Sequence, residues 1–165
     1  MTTHRVWRLG ADVDTDALAP GHVMKHGIDV IARHCLEAVR PEFAGQVRAG
    51  DVIVAGPNFG IGSSREQAAA VLVHLGVAAV IAPSYGGLYF RNAFNLGLLL
   101  LSCAEAETLQ DGDRVTLDVA LPSVSTPGGR TLACEPVPDF LMDMVRAGGL
   151  MKQLRQRFAK ERSEP

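Results

Sequence analysis

Residues 51–101 read DVIVAGPNFGIGSSREQAAAVLVHLGVAAVIAPSYGGLYFRNAFNLGLLLL, and this stretch decides the fold. Asp51 to Ala55 is a short, nearly all-apolar run with glycine on both sides, the pattern of a strand buried on both faces. Ala68, Ala69, Val71, Leu72 and Leu75 then fall on one face of a helix spanning Ser64 to Leu75, and Gly76 is placed to end it. Val77 to Ala82 returns as a second buried strand. Tyr85 to Asn95 reads as a helix closed by Gly97, and Leu98 to Leu101 as a third strand. The order β, α, β, α, β with apolar strands predicts an α/β protein whose largely parallel central sheet is covered on both faces.

Working outward, Arg5 to Leu9 alternates as a strand that stops at Gly10. The following ADVDTDALAPGH is too rich in Asp, Pro and Gly to continue it and reads as an acidic loop. Ile28, Ile31, Ala32, Cys35, Leu36 and Val39 recur at helical spacing, which predicts a helix over 28–39 ended by Pro41. On the carboxy-terminal side, Arg114 to Ala120 alternates as a more exposed strand and residues 122–130 are turn-rich. Thr131 to Glu135 can pair back as a hairpin, and residues 140–147 and 150–159 read as helices separated by Gly148 and Gly149. The last segment carries Lys152, Arg155, Arg157, Lys160 and Arg162. Its Leu150, Met151, Leu154 and Phe158 also sit at helical spacing, so it reads as a docked terminal helix with a solvated basic face rather than a nucleic-acid contact. No repeat or linker divides the chain, and residues 1–165 are expected to form one domain.

Composition bounds the function. The 165 residues carry 16 Lys and Arg against 18 Asp and Glu, a net charge of −2, so no whole-chain field steers the protein to nucleic acid or an anionic membrane. No apolar run approaches the roughly 20 residues of a spanning helix. The start MTTHR has no apolar segment of the kind that directs secretion, so a cytoplasmic location is expected. The three cysteines, Cys35, Cys103 and Cys134, are scattered, without a C-x-x-C pair or a nearby His at ligand spacing. A metal cluster is therefore not expected from this chain alone.

The densest chemical signal is GPNFGIGSSRE, a glycine-rich turn between a buried strand and a helix. Gly60 and Gly62 permit close backbone approach, the helix start offers unpaired N–H groups, and Arg65 adds a planar cation, a combination that suits a carboxylate or phosphate. The same letters admit a structural reading, because Ser63 and Glu66 are spaced as a capping box. Arg65 stands where a dinucleotide fingerprint needs its third glycine, Gly62 is followed directly by Ser63 rather than by the Lys of a P-loop, and no G-x-S-x-G elbow is present. Asp12, Asp14 and Asp16 begin like a calcium loop, but Ala17 and Val23 occupy its obligatory Gly and Glu positions, leaving Asx turns as the ordinary role. His22 and His26 are four apart, yet Pro20 and Gly21 oppose a helix presenting them together and Val23 replaces a zincin Glu, so no metal site is assigned there.

The motifs DVDTDALAPG, VAGPNFGIGSSREQ, AAVIAPSY and YFRNAFNLGL, together with FLMDMVRAGGL, resemble the 3-isopropylmalate dehydratase small-subunit family, in the right order and over nearly the whole chain. The resemblance implies the swivelling β/β/α domain of the aconitase superfamily. It also implies a hetero-oligomer in which a large subunit holds a [4Fe-4S] cluster through its own cysteines. Carried over residue by residue, it makes Ser63 the base that removes a proton from the carbon next to a substrate carboxylate, with Gly62, Ser64 and Arg65 holding carboxylate oxygens and Asp16 orienting groups in the site. Ile61 replaces a common Cys, Gln67 a common His, and Gly86 and Gly87 an Ala-Arg pair. Relatives select the substrate side chain with a segment after the Pro-Gly step. Here His22, Val23, Met24, Lys25 and His26 stand there, Val23 and Met24 suiting an isopropyl group and Lys25 an extra carboxylate. The expected reaction is isomerisation of 2-isopropylmalate to 3-isopropylmalate in leucine biosynthesis. Homoaconitate and a methyl-substituted malate remain alternative substrates, and a non-catalytic anion-binding module is the alternative of another class.

Overall fold

The computed structural model describes residues 2–164. The elements in order are β1 (His4–Arg8), α1 (Thr15–Leu18), α2 (Ile28–Arg33), α3 (Phe43–Gln46), β2 (Val52–Val54), α4 (Gln67–His74), β3 (Ala79–Ala82), α5 (Gly87–Asn95), β4 (Leu99–Ser102), β5 (Arg114–Asp118), β6 (Ser123–Ser125), β7 (Thr131–Ala133), α6 (Asp139–Ala147) and α7 (Leu150–Ser163). One sheet runs β4-β3-β2-β1-β5-β6-β7. Strands β1 to β4 are parallel, with Val6, Trp7 and Arg8 opposite Val52, Ile53 and Val54. The remaining pairings are antiparallel. The α/β class is thus right, and the sheet is half parallel and half meander.

Both faces of the sheet are covered, as its apolar strands require, but by different means. Each parallel crossover steps in the same direction across the sheet, and right-handed connections then place their helices on one face. The packing of α2 on α4, α4 on α5 and α5 on α6 agrees. The opposite face is closed by the segment around Ala106 and Leu109, both fully buried, and by the curl of the sheet itself. Its two edges meet where the Glu135 amide donates to Ser102 O at 2.8 Å. A sheet that curls onto itself leaves fewer unpaired edge groups. The three-residue β6 lies within the stretch read as turns, because each of β6 and β7 turns one apolar residue inward, Val124 and Leu132, too few to register as a strand pattern.

The helix read over 28–39 ends at Arg33. Leu36 takes φ +60° so that its side chain is fully buried and its amide donates to Ala17 O at 2.8 Å, a tertiary bond that outweighs helical continuation. The terminal helix is also corrected. Helix α7 forms, but Met151 and Phe158 are 62% and 51% exposed, and none of its residues is buried. Only its first turn, with Leu150 and Leu154, leans on the rest of the molecule.

Beside the core lies one ionic cluster that the sequence does not announce. Asp51 accepts from Arg5 Nη2 at 2.7 Å, Trp7 Nε1 at 2.8 Å and the Arg48 amide at 2.9 Å, while the Arg5 and Arg40 guanidiniums lie over the Trp7 indole at 4.8 and 4.6 Å. Burial opposes ionisation of Asp51, but the bonds from Arg5, Trp7 and Arg48 together hold its carboxyl below the ordinary 3.8. A carboxylate depressed in the folded state stabilises the fold above the unfolded pKa and loses that contribution as pH falls through the folded one. Stability should therefore decline below about pH 4. Asp51→Asn should cost about 2 kcal/mol at neutral pH and flatten that acid limb, as urea titrations across pH would read. An unchanged acid limb in the variant would remove Asp51 from the explanation.

Candidate functional site

The site is built where the glycine-rich turn is drawn between two neighbouring loops. Gly60 N donates to Val13 O at 2.7 Å and Thr15 N to Ile61 O at 2.9 Å, giving a short parallel bridge of Asp14 with Ile61. On the other side Phe59 N donates to Ser84 O at 3.1 Å and Gly86 N to Phe59 O at 2.9 Å. Phe59 is the buried anchor, meeting Tyr85 and Tyr89 edge-on at 6.2 and 5.5 Å. Gly60 has φ +81°, and a β-carbon there would overlap Tyr89, while Gly62 has φ +107°, and a β-carbon there would come within 3.1 Å of Thr15 Oγ1. Both positions exclude a side chain, one for Tyr89 and the other chiefly for its backbone conformation. Asn58, itself at φ +64°, is held by Ser84 Oγ on its amide and by its Nδ2 donating to Asp12 Oδ1, both at 2.9 Å. Asp12 and Asn58 therefore position the turn, a role that only the folded contact reveals.

This bridging changes the reading of the serines. Helix α4 begins at Gln67, not at Ser64, and Glu66 makes no capping bond, so the capping box is not formed. Ser63 and Ser64 lie in the loop ahead of the helix, exposed, and neither side chain makes a hydrogen bond among the described residues. Only Arg65 N turns back, to Ser63 O at 2.7 Å; the amides of Ser63, Ser64 and Glu66 have no backbone acceptor there. The exposed loop thus carries two free hydroxyls and three amides without a backbone acceptor.

Arg65 is half-buried and fixed. Its Nη1 donates to Asp16 Oδ1 at 2.8 Å and to Ala19 O at 3.0 Å. The same Asp16 oxygen accepts from Gly21 N at 2.9 Å. The Arg65 guanidinium and the Gly21 amide hold the Asp16 carboxyl below its usual range, so it stays ionised and keeps the arginine oriented. Asp14 is an ordinary cap, accepting from Ala17 N at 2.7 Å at the start of α1. Because Asp16 also holds Gly21, it ties the Ser63 to Arg65 loop to the loop at 21–26. In that second loop Val23 is 4% exposed and points into the core, which corrects its expected contact with substrate; Met24 is half-buried and Lys25 exposed. A cleft of about 440 Å³ lies alongside, with Asp14, Asp16, Pro20, His22 and Glu37 on its walls.

The thiols do not make a cluster cradle. Cys35 is fully buried, and burial pushes its thiol up to about 12. Cys103 and Cys134 follow the two edge strands β4 and β7, and their proximity draws the Cys103 thiol below its ordinary range and pushes that of Cys134 up. Among the described residues Cys35 is buried apart from Cys103 and Cys134, so the three thiols are not gathered as the thiolate ligands of an iron–sulfur cluster are. No helix among the described residues is long and apolar enough to cross a membrane.

The architecture and this loop define a class. Residues 37–106 match the model of the Aconitase C-terminal domain. The chain is 42% identical to the 3-isopropylmalate dehydratase small subunit 1 of Archaeoglobus fulgidus, over 93% of this chain and 98% of that one. It is 43% identical to the methanogen homoaconitase small subunit of Methanothermobacter thermautotrophicus, over 89% and 86%. A crystal structure of the 3-isopropylmalate dehydratase leuD from Methanocaldococcus jannaschii superposes with a TM-score of 0.91 at 35% identity, covering 99% of this chain and 98% of that one. The chain belongs to the 3-isopropylmalate dehydratase small-subunit family of aconitase-type domains.

Proposed function

We propose that this chain is the small subunit of a hydro-lyase that isomerises a 2-hydroxy acid by dehydration and rehydration, with 2-isopropylmalate and 3-isopropylmalate as the pair. The observation that carries the reading is the exposed Ser63 and Ser64 pair beside an arginine locked in place by Asp16. Arg65, oriented by a carboxylate and a carbonyl on one nitrogen, keeps its other N–H groups for a substrate carboxylate. Ser64 and the unpaired amides add donors. Bound so, the substrate has the carbon next to that carboxylate within reach of Ser63, whose oxygen takes the proton. A hydroxyl is a weak base, and the alkoxide it acts through is stabilised by preorganised amide donors and the Arg65 charge. Departure of the substrate hydroxyl needs a Lewis acid, which the Ser63 to Arg65 loop does not itself supply. The reading assigns it to a [4Fe-4S] cluster in a large partner subunit. Three unbridged cysteines suit the reducing cytoplasm in which we place the pair.

A second substrate reading has a specific observation behind it. With Val23 turned inward, the loop offers substrate the partly covered Met24 and the exposed Lys25, and a cation there favours a homoaconitate-type substrate with one more carboxylate. Purified alone, the chain should show no iron–sulfur absorbance and no dehydratase activity. Combined with a reconstituted large subunit it should turn over 3-isopropylmalate in preference to homoaconitate and methyl-substituted malates. Iron–sulfur absorbance in the isolated chain would overturn the division of labour, and preference for homoaconitate would transfer the assignment to the second substrate.

A further inference from the structure

The acidic loop and the broken second helix bring together three side chains that the dehydratase reading does not use. His22, in the short 3₁₀ turn Gly21–Val23, places Nε2 3.3 Å from Glu37 Oε1. His34, the residue that closes α2, places Nδ1 2.7 Å from Glu37 Oε2. The two imidazoles meet edge-on with centroids 5.3 Å apart. One ligand atom from each of the three lies within 4.8 Å of the other two. His26, the partner suggested by spacing, is not among them.

We propose that His22, His34 and Glu37 bind one divalent transition-metal ion of the zinc type. Ligand atoms held about 2 Å from a tetrahedral zinc stand roughly 3.3 Å apart, so the side chains need move little to close on an ion. Two imidazoles and one carboxylate form a borderline-soft, singly charged donor set that selects zinc and its late first-row neighbours over calcium or magnesium. Three protein ligands leave a fourth position for water or a small anion, and two of the three, His22 and Glu37, line the cleft that Asp14 and Asp16 share. The geometry is built in by the backbone. The left-handed Leu36, anchored through its amide to Ala17 O, fixes the turn that carries Glu37 back beside His34, and the Gly21 bond to Asp16 fixes the base of the turn carrying His22. The site is independent of the dehydratase reading, since none of its ligands is Ser63, Ser64, Arg65 or Asp16. Its consequence for that reading is that an ion would join residues 21–23 to residues 34–37 and so pin the loop bearing Met24 and Lys25.

The full chain, stripped with a chelator and titrated with zinc chloride by calorimetry and equilibrium dialysis, should bind one equivalent with a Kd tighter than about 10 µM. His22→Ala, His34→Ala and Glu37→Gln should each weaken it by about tenfold or more, as expected for loss of a direct ligand, with His26→Ala unchanged. Circular dichroism of each variant guards against misfolding, and His34→Gln replaces any alanine variant that fails to fold. Cobalt loading should give ligand-field bands without thiolate charge transfer, which separates this site from Cys103 and Cys134. Binding weaker than that limit, binding indifferent to the three substitutions, or a thiolate band would each overturn the proposal.

Discussion

Ser63→Ala, assembled with the large subunit, should lose about two to four orders of magnitude in kcat, the range for removing a positioned proton-transfer group. Its thermal unfolding should stay where it is. The hydroxyl is exposed, makes no hydrogen bond among the described residues and caps nothing, because α4 begins four residues later at Gln67. Had the serine been the helix cap that its spacing with Glu66 suggests, the same change would cost about 1 kcal/mol of stability. Activity and stability are therefore cleanly separated by this one substitution. Full turnover in the assembled variant would leave Ser63 a surface residue and the dehydratase reading without its base.

Gly60→Ala should produce the opposite pattern, a loss of stability. A β-carbon at Gly60 would lie 2.5 Å from Tyr89 Cδ1 and would overlap Cγ, in a ring that is itself 2% exposed and donates to Ala68 O. The left-handed conformation adds about 1–2 kcal/mol for a non-glycine residue and the overpacking about 1–3 kcal/mol. Together they give about 3 kcal/mol, or on the order of 10 °C in melting temperature for a chain of this length. Gly27→Ala is the control, since nothing lies within 4 Å of its β-carbon position and its φ is −69°. Equal melting temperatures for the two variants would show that the turn is not held against Tyr89.

These two residues mark how far the sequence was legible. The strands at 52–54, 79–82 and 99–102 could be read directly, because a strand buried on both faces must be apolar throughout and its glycine boundaries are local. The loop of Gly60, Gly62, Ser63, Ser64 and Arg65 was legible for the same reason, as its unusual residues stand next to one another. What failed were inferences from periodicity where tertiary bonds compete. Leu36 abandons the helix to bond Ala17, and the serines stand outside α4, where the turn before them is bridged to residues 13–15; the Val23 contact, carried over from the family resemblance, failed because the side chain is buried in the core.

The amino-acid sequence by itself determined the α/β class, the order of the buried strands, the absence of a clustered set of thiol ligands and the short run that carries the candidate chemistry. Each depends on neighbours along the chain. Only the tertiary structure decided that Asp16 orients Arg65, that Asp12 holds Asn58, that the sheet closes on itself between Ser102 and Glu135, and that His22 meets His34 and Glu37. Apart from His34 with Glu37, those pairings join residues from 12 to 49 positions apart, and no periodicity in the chain encodes a contact of that kind.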